Sequence, residues 1–216
     1  MANEVNAQAA RGRRELYIIV GMLVLVMVGA TALYKAAEHG VLDLPSLFGT
    51  NNNGVLISPP QRIDALDLRY ADGSPFDFER DDSRWTLLVP VPPSCNEQCQ
   101  NNLYITRQAR TALGRDMNRV SRLIVTAGAP ETSLAELINR EHNGVPVLRV
   151  SETAFDRVFG DLQRPIQPLA DNLILLVDPR GWMMMYYTPE HDGYDILDDM
   201  KLLLKYSPKQ AEGTGS

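Results

Sequence analysis

The chain has 216 residues and a formal net charge of −6 at pH 7. This acidic balance argues against a nucleic-acid binder, because such proteins present a basic patch or stripe to phosphate groups. Hydrophobic residues make up 44% of the sequence, which is ordinary for a globular protein and excludes a disordered or fibrous class.

The first feature in chain order is an apolar segment near the N-terminus. Residues 16–34 carry no charged side chain, and a helix of that length can cross the hydrocarbon core of a bilayer. Arg11, Arg13 and Arg14 precede the segment, whereas Lys35 follows it closely. The positive-inside rule therefore predicts an N-terminal tail in the cytoplasm and the remainder of the chain outside.

A cleaved signal peptide is the alternative interpretation of this segment. The apolar region of a signal peptide is shorter, about 7–15 residues, and precedes a cleavage site of the Ala-x-Ala kind. Ala30-Thr31-Ala32 matches that pattern but falls inside the apolar run. We therefore expect an uncleaved transmembrane anchor.

The expected organisation is an anchored protein with one folded domain. If the host is bacterial, the anchor lies in the inner membrane and the domain lies in the periplasm, which is an oxidising compartment. The predicted segments are a cytoplasmic tail (1–15), a transmembrane helix (16–34), a linker (35–54), a periplasmic domain (55–206) and a flexible tail (207–216).

Hydrophobic patterning beyond the linker predicts an α/β domain. The predicted strands are a short one at 55–57, a hairpin of 66–70 with 76–78, two central strands at 84–89 and 120–126, an edge strand at 145–150 and a second hairpin of 172–177 with 182–187. The predicted helices cover about 100–117, 133–140, 152–159 and 196–205. Strand–helix–strand, then a helix, a hairpin and a final helix is the order of a thioredoxin-like domain.

Cys95 and Cys99, the only two cysteines, lie where a strand pattern changes to a helix pattern. Residues four apart share one face of a helix. Both sulfurs can therefore face one small object, either each other in a disulfide or a soft metal ion such as Cu(I). A helix N-terminus favours a thiolate, which predicts Cys95 as the attacking sulfur and Cys99 as the resolving sulfur. A purely structural disulfide is the alternative, although so short a loop gains little from closure entropy.

Three features together resemble the Sco/SenC family: the apolar anchor, the strand from Trp85 into Cys-x-x-x-Cys, and the Asp178-Pro-Arg-Gly181 turn. The resemblance implies a thioredoxin-fold copper chaperone for the binuclear copper centre of cytochrome c oxidase. In that family two cysteines and one histidine bind copper. Cys95 and Cys99 match the cysteines, whereas residues 167–172, which match the region of the third ligand, contain no histidine.

Three functions follow from these observations and stay open at this point. The resemblance implies copper handling or thiol–disulfide exchange at the cysteine pair, with cytochrome c oxidase subunits or assembly factors as partners and copper as a possible cofactor. The alternative is a non-catalytic scaffold or accessory subunit of the respiratory oxidase, with Cys95–Cys99 as a structural disulfide. Because the third-ligand histidine is missing, copper delivery is less favoured than thiol–disulfide exchange or the scaffold role. Whether the chain is an enzyme is left open.

The histidines are expected to be solvated surface residues and not ligands. His39 lies beside the membrane segment, and His142 lies at the end of a predicted helix, where a histidine interacts favourably with the helix dipole. His191 lies in a predicted turn.

Two further groups of side chains have structural predictions. Met183 and Met185 are expected on one face of a strand and Met184 on the other, so that core packing explains them better than copper binding. Three carboxylates are expected on the solvated face and first turn of the last helix: Asp195, Asp198 and Asp199.

The anchor prediction is tested by fusing a reporter enzyme after Asn52. The reporter should be active only outside the cytoplasm, because the preceding arginines hold the N-terminal tail inside. Recovery of a mature chain that begins near Ala32 would instead identify a cleaved signal peptide.

Overall fold

The computed structural model describes residues 17–32, 34–35 and 52–207, and the chain divides into two units between residues 50 and 51. Residues 17–32 are helical, with exposed large apolar side chains. Within the described residues no helix is both long enough and apolar enough to cross a bilayer. The predicted cytoplasmic tail, most of the predicted linker and flexible tail, and His39 lie outside the described residues.

A six-stranded mixed sheet forms the centre of the second unit. Its strands are β1 (Val55–Arg62), β2 (Trp85–Val91), β3 (Val120–Ala127), β4 (Val147–Val150), β5 (Ile174–Val177) and β6 (Trp182–Tyr187). The spatial order is β1-β6-β5-β2-β3-β4, with β2, β3 and β4 parallel and the other pairs antiparallel. β2 and β3 are buried along their whole length, as their mostly apolar sequences predict. β4 lies at an edge of the sheet, as Pro146 predicts.

Helices cover both faces of this sheet. They are α1 (Phe78–Asp81), α2 (Glu97–Ala112), α3 (Thr132–Glu141), α4 (Ala154–Phe159) and α5 (Gly193–Tyr206). Successive strand side chains point to opposite faces, so Leu87 and Val89 pack in the cores under α2, α3 and α5, whereas Leu88 packs in the core with α4. The predicted thioredoxin-like order of elements is confirmed.

The predicted hairpin of residues 66–70 with 76–78 is reduced to one antiparallel bridge, between Arg69 and Pro75, on either side of a turn. A 3₁₀ turn occupies Ile63–Leu66, and α1 begins at Phe78. Between them, two isolated bridges pair Arg69 with Pro75 and with Arg149. Ile63, Leu66 and Phe78 all lie in the core on the α4 side, so their spacing reflects a loop anchored to the core and not a strand. The predicted short strand at 55–57 is also longer, because β1 continues through Pro59 and Pro60 to Arg62.

The strand alternation predicted for the three methionines is wrong in β6. Met183 pairs with Val177 and Met185 pairs with Leu176, which leaves Met184 without an opposite residue on β5. An extra residue of this kind is a β-bulge and disrupts the regular alternation. Met183 therefore packs in the core on the α4 side, while Met184 and Met185 pack in the core under α5. The prediction that these residues serve core packing is confirmed.

Asp199 is buried, although the sequence predicts it on the solvated face of the last helix. Only 2% of it is exposed. Its carboxylate accepts hydrogen bonds from the backbone N–H groups of Asn53 (2.8 Å) and Gly54 (2.9 Å) and from the Tyr187 hydroxyl (3.1 Å). Burial, followed by this carboxylate, raises the pKa of Tyr187. Asp199 thus attaches the segment before β1 to α5 and β6.

Replacement of Asp199 by alanine is expected to lower the free energy of unfolding by about 3 kcal/mol, because it leaves two buried donors, the Gly54 N–H and the Tyr187 hydroxyl, without an acceptor. Asp198→Ala is the matched control, since Asp198 is exposed and its ion pair with Lys201 contributes less than about 1 kcal/mol. Urea unfolding followed by circular dichroism measures both losses. Equal losses in the two variants would contradict the role given to Asp199.

Candidate functional site at the Cys95–Cys99 disulfide

The two cysteines lie at the carboxyl ends of the central parallel strands. β2 ends at Val91, and the chain reaches Cys95 after Pro92-Pro93-Ser94. The loop that follows β3 meets this segment, because the Glu131 N–H donates to the Pro93 carbonyl at 3.4 Å. Open α/β sheets place their sites at this edge.

Cys95 and Cys99 are joined by a disulfide, with their Cα atoms 5.3 Å apart. The helix begins earlier than predicted, at Glu97, with Asn96 as its N-cap. Cys95 therefore precedes α2, and the two cysteines do not share a helix face as the sequence argument assumed. The Asn96 side chain accepts a hydrogen bond from the Cys99 N–H at 2.9 Å, and the Gln100 side chain donates to the Cys95 carbonyl at 3.3 Å. These two contacts fold the segment so that the sulfurs meet.

The two sulfurs differ in their accessibility. Cys99 is 1% exposed and packs with Val89, Leu103 and Ile124. Cys95 is only half-buried. An incoming thiol or disulfide therefore reaches Cys95 first, which favours the predicted division into an attacking and a resolving sulfur.

The electrostatic surroundings of the disulfide have two opposing parts. The free N–H groups at the start of α2 stabilise negative charge on sulfur. Glu97 is exposed, lies between the cysteines in sequence and disfavours a second negative charge nearby. The sequence has no lysine or arginine between residues 92 and 106. Within this segment, stabilisation of a thiolate therefore comes from dipoles and not from a cationic side chain.

Asn102 connects α2 to the loop before β5 and was not singled out from the sequence. It is 2% exposed, and its side-chain amide donates to the Asn172 carbonyl at 2.7 Å. The Gln98 side chain in turn donates to the Asn102 amide oxygen at 3.1 Å. The segment of residues 167–172 matches the region of the third copper ligand in the Sco/SenC family. It thus contacts α2 about one turn after Cys99. In the sequence, the signal that could have identified Asn102 was its position as a polar residue on the apolar side of α2.

His142 is buried, so its predicted solvated position is wrong. It lies at the C-cap of α3 and is 4% exposed. Its Nδ1 atom lies 3.5 Å from Nη2 of Arg122, which is itself 7% exposed on β3. The Arg122 guanidinium also donates to the Leu103 carbonyl (2.8 Å) and the Thr106 hydroxyl (3.2 Å). In residues 52–207 no carboxylate forms an ion pair with Arg122.

The charge state of this buried pair follows from its surroundings. Burial, followed by Arg107 and Arg110, lowers the pKa of Arg122 to about 10. Burial, followed by Arg122 and Arg107, lowers the pKa of His142 to about 4, against a small opposing effect of Glu141. At neutral pH the imidazole is therefore uncharged, with Nδ1 accepting from Arg122 and the proton on Nε2.

His191 lies in the predicted turn but is half-buried. Its Nδ1 accepts from the Thr188 N–H at 3.1 Å, so its Nε2–H donates to the Asn53 carbonyl at 3.0 Å. Both ring nitrogens of His191 thus form hydrogen bonds with backbone groups, those of Thr188 and Asn53. Across the described part of the chain no three histidine, cysteine, aspartate or glutamate side chains are grouped so that they could hold a metal ion.

These features define a thioredoxin-fold protein: a mixed sheet lies between helices, and a cysteine pair lies at the carboxyl end of a central strand. Residues 85–207 match the family described as "Transmembrane-like, thioredoxin-like, C-terminal domain", which is more than half of the chain. The chain belongs to this family. No curated protein matches the sequence.

Two solved structures have a similar fold. Apo Sco1 from Thermus thermophilus is 16% identical, with 72% of this chain and 98% of that chain covered and a TM-score of 0.53. Yeast Sco1 with copper bound is 15% identical, with coverages of 74% and 98% and a TM-score of 0.51. The fold is therefore Sco-like.

Acidification should destabilise the domain through His142. Its pKa is about 4 in the folded state and about 6.5 in an unfolded chain, so the unfolded state binds more protons between these values. The contribution of the neutral His142 to the free energy of unfolding is fully present above about pH 6.5. This free energy falls by about 3 kcal/mol as the pH approaches 4.

Urea unfolding between about pH 7 and pH 4 measures this loss. The comparison is with His142→Gln, whose side chain stays polar but does not titrate, while the carboxylates titrate in both proteins. The same pH dependence in both proteins would contradict the prediction.

Proposed function

We propose that the chain is a membrane-anchored thiol–disulfide exchange protein that reacts through Cys95 and Cys99. The observation that carries this proposal is a half-exposed Cys95 bonded to a fully buried Cys99 at the start of α2. An exchange reaction needs one sulfur that a partner can reach and a second that is protected until the first has reacted.

The reduction of a substrate disulfide takes two steps from the dithiol form. The Cys95 thiolate attacks one substrate sulfur, forms a mixed disulfide and expels the other substrate sulfur as a thiolate. The Cys99 thiolate then attacks the Cys95 sulfur and expels the remaining substrate thiolate. The substrate gains two electrons, the protein is oxidised to the Cys95–Cys99 disulfide, and the two thiol protons pass to the products. A dithiol protein of lower potential restores the starting form.

The structure gives less support to a purely structural disulfide. The bond closes a loop with a sequence separation of four, for which the entropic stabilisation is small. The Asn96 cap and the burial of Cys99 already hold the first turn of α2.

Copper is a second candidate, as a cargo of the dithiol form. Two cysteine sulfurs are soft ligands that suit Cu(I), and the similar yeast Sco1 structure has copper bound. Cys95 and Cys99 would hold the ion without a third ligand from the segment 167–172, whose polar side chains are amides and a carboxylate. We therefore place copper handling after thiol–disulfide exchange.

The setting of this reaction is also a proposal. The charge-free segment of residues 16–34 and the arginines before it support an inner-membrane anchor with the domain in the periplasm. The resemblance of the sequence to Sco/SenC proteins supports subunits or assembly factors of cytochrome c oxidase as partners, with their copper-ligand cysteines as substrates.

The reduction potential of the Cys95–Cys99 pair tests the proposed reaction. An exchange protein is expected between about −180 and −270 mV, and a structural disulfide below about −300 mV. The potential is measured by equilibrating the full chain with thiol buffers and trapping the free thiols. The Cys95→Ser/Cys99→Ala variant should lose no more than about 2 kcal/mol of stability, because closure of so short a loop contributes only about that much.

A very low potential with marked destabilisation of the double variant would instead support the scaffold alternative. In the same preparations, Cu(I) retention against a chelator separates the two candidate activities. The copper proposal requires retention of one ion by the dithiol form and none by the disulfide form.

A further inference from the structure

One buried cation lies beneath α2. Arg122 on β3 is 7% exposed, and among residues 52–207 it is the only buried lysine or arginine. Its guanidinium donates to the Leu103 carbonyl at 2.8 Å and to the Thr106 hydroxyl at 3.2 Å, and both of these acceptors belong to α2. The two exchange steps make no use of this group.

Arg122 and Cys99 face the same apolar core. Side chains two apart on a strand point to the same face of the sheet, so Arg122 shares a face with Ile124. Ile124 packs with Cys99 and Leu103 in one cluster. Because α2 rises about 6–10 Å from Cys99 to Leu103 and Thr106, the guanidinium lies on the order of 10 Å from the Cys99 sulfur. Buried side chains, and not water, fill the space between them.

No opposite charge compensates Arg122. In residues 52–207 no carboxylate forms an ion pair with it. Burial and the two neighbouring cations, Arg107 and Arg110, lower its pKa to about 10, so the guanidinium is still charged at neutral pH. His142, which contacts it, is uncharged there. A buried charge without a counter-charge costs free energy.

The other charges near the cysteine pair are exposed or belong to a different cluster. Three carboxylates lie at the starts of helices or before β5, and all three are exposed to water, which screens them: Glu97, Glu131 and Asp171. At the end of α3, Arg140 and Glu141 pair with each other. The buried Asp199 contacts Tyr187 in the cluster under α5. Arg122 is therefore the buried charge that faces the Cys99 cluster.

The second exchange step needs negative charge at Cys99. The Cys99 thiolate forms a bond to the Cys95 sulfur, the bond from Cys95 to the substrate breaks, and its electron pair leaves with the substrate sulfur. Burial disfavours a thiolate, and Cys99 is 1% exposed. The N–H groups at the start of α2 offset part of this cost. A cation in the same core offsets more of it, because charges interact more strongly at low dielectric.

We propose that Arg122 is a positioning residue of the exchange reaction, whose guanidinium stabilises the Cys99 thiolate across the core and so accelerates closure of the disulfide. This inference rests on the proposed exchange function and adds to it a charged residue from outside the cysteine segment. It also gives a physical reason for a buried cation without a carboxylate.

Oxidation of the reduced full chain by the aromatic disulfide dithiobis(nitrobenzoate) separates the two steps. Cys95 attacks the reagent and releases a first coloured thiolate, at a rate proportional to the reagent concentration. Cys99 then displaces the second coloured thiolate from Cys95, at a rate that is independent of the reagent. Stopped-flow absorbance records both phases, and Cys99→Ala should retain only the first.

Arg122→Met removes the charge and keeps a long side chain. For charges about 10 Å apart at an effective dielectric constant of about 20, this lowers the thiolate fraction of Cys99 about ten-fold. The remaining thiolate is about three-fold more nucleophilic, so the second phase should be about three-fold slower at neutral pH. The two pH profiles should converge as the pH rises, because both thiols ionise there. The first phase should change less, since Cys95 is only half-buried.

Two further variants assign the effect to the buried charge. Arg122→Gln keeps hydrogen-bond donors without the charge, so it should slow the second phase as Arg122→Met does, and it also gives the answer if Arg122→Met does not fold. Arg115→Met is the matched control, because it removes the same charge from an exposed position after α2. It should leave both phases at the wild-type rate.

The outcomes separate this inference from the proposed function. A second phase of wild-type rate in Arg122→Gln, equal slowing at every pH, or equal slowing in Arg115→Met would overturn the role of Arg122 and leave the exchange function standing. Absence of the second phase from the wild-type chain would overturn the exchange function and this inference together.

Discussion

The N-cap of α2 is the contact on which the candidate site depends. β2 ends at Val91, and the chain must turn within a few residues to lay α2 across the sheet. The hydrogen bond from the Cys99 N–H to the Asn96 side chain starts the helix at that point. It places Cys99 under the helix in the core and leaves Cys95 outside its first turn. The disulfide and the different exposure of its two sulfurs both follow from this one helix start.

Behind that turn, the protein uses buried polar groups that hydrogen bonds satisfy. Arg122 lies under α2 and donates to the Leu103 carbonyl, the Thr106 hydroxyl and His142. A buried cation without a carboxylate is costly unless its donors are satisfied. Burial and the Arg122 cation keep His142 uncharged, and the contact between its Nδ1 and Arg122 orients its ring. The same network joins β3, α2 and α3 beneath the cysteine pair.

The Sco-like fold does not by itself determine the chemistry, because function depends on the site and not on the fold. Here the site consists of two sulfurs and dipoles. The segment before β5 contacts α2 through Asn102 and Asn172, so the chain reaches the region of the third copper ligand but presents amide and carboxylate groups there. Two-sulfur chemistry is the chemistry that this arrangement serves best.

The sequence by itself determined the order of strands and helices from β2 onward, the thioredoxin-like class and the importance of the cysteine pair. β2 and β3 are mostly apolar, so their burial can be predicted without knowledge of their neighbours, and the chain has only two cysteines. The tertiary structure decided which polar side chains are buried. Asp199 binds the backbone at Asn53, 146 residues away, and His142 meets Arg122 on a different element. Local periodicity reports only the average character of a helix face. It carries no information on hydrogen-bonding partners from distant parts of the chain. Those partners decide which carboxylate or imidazole can be buried.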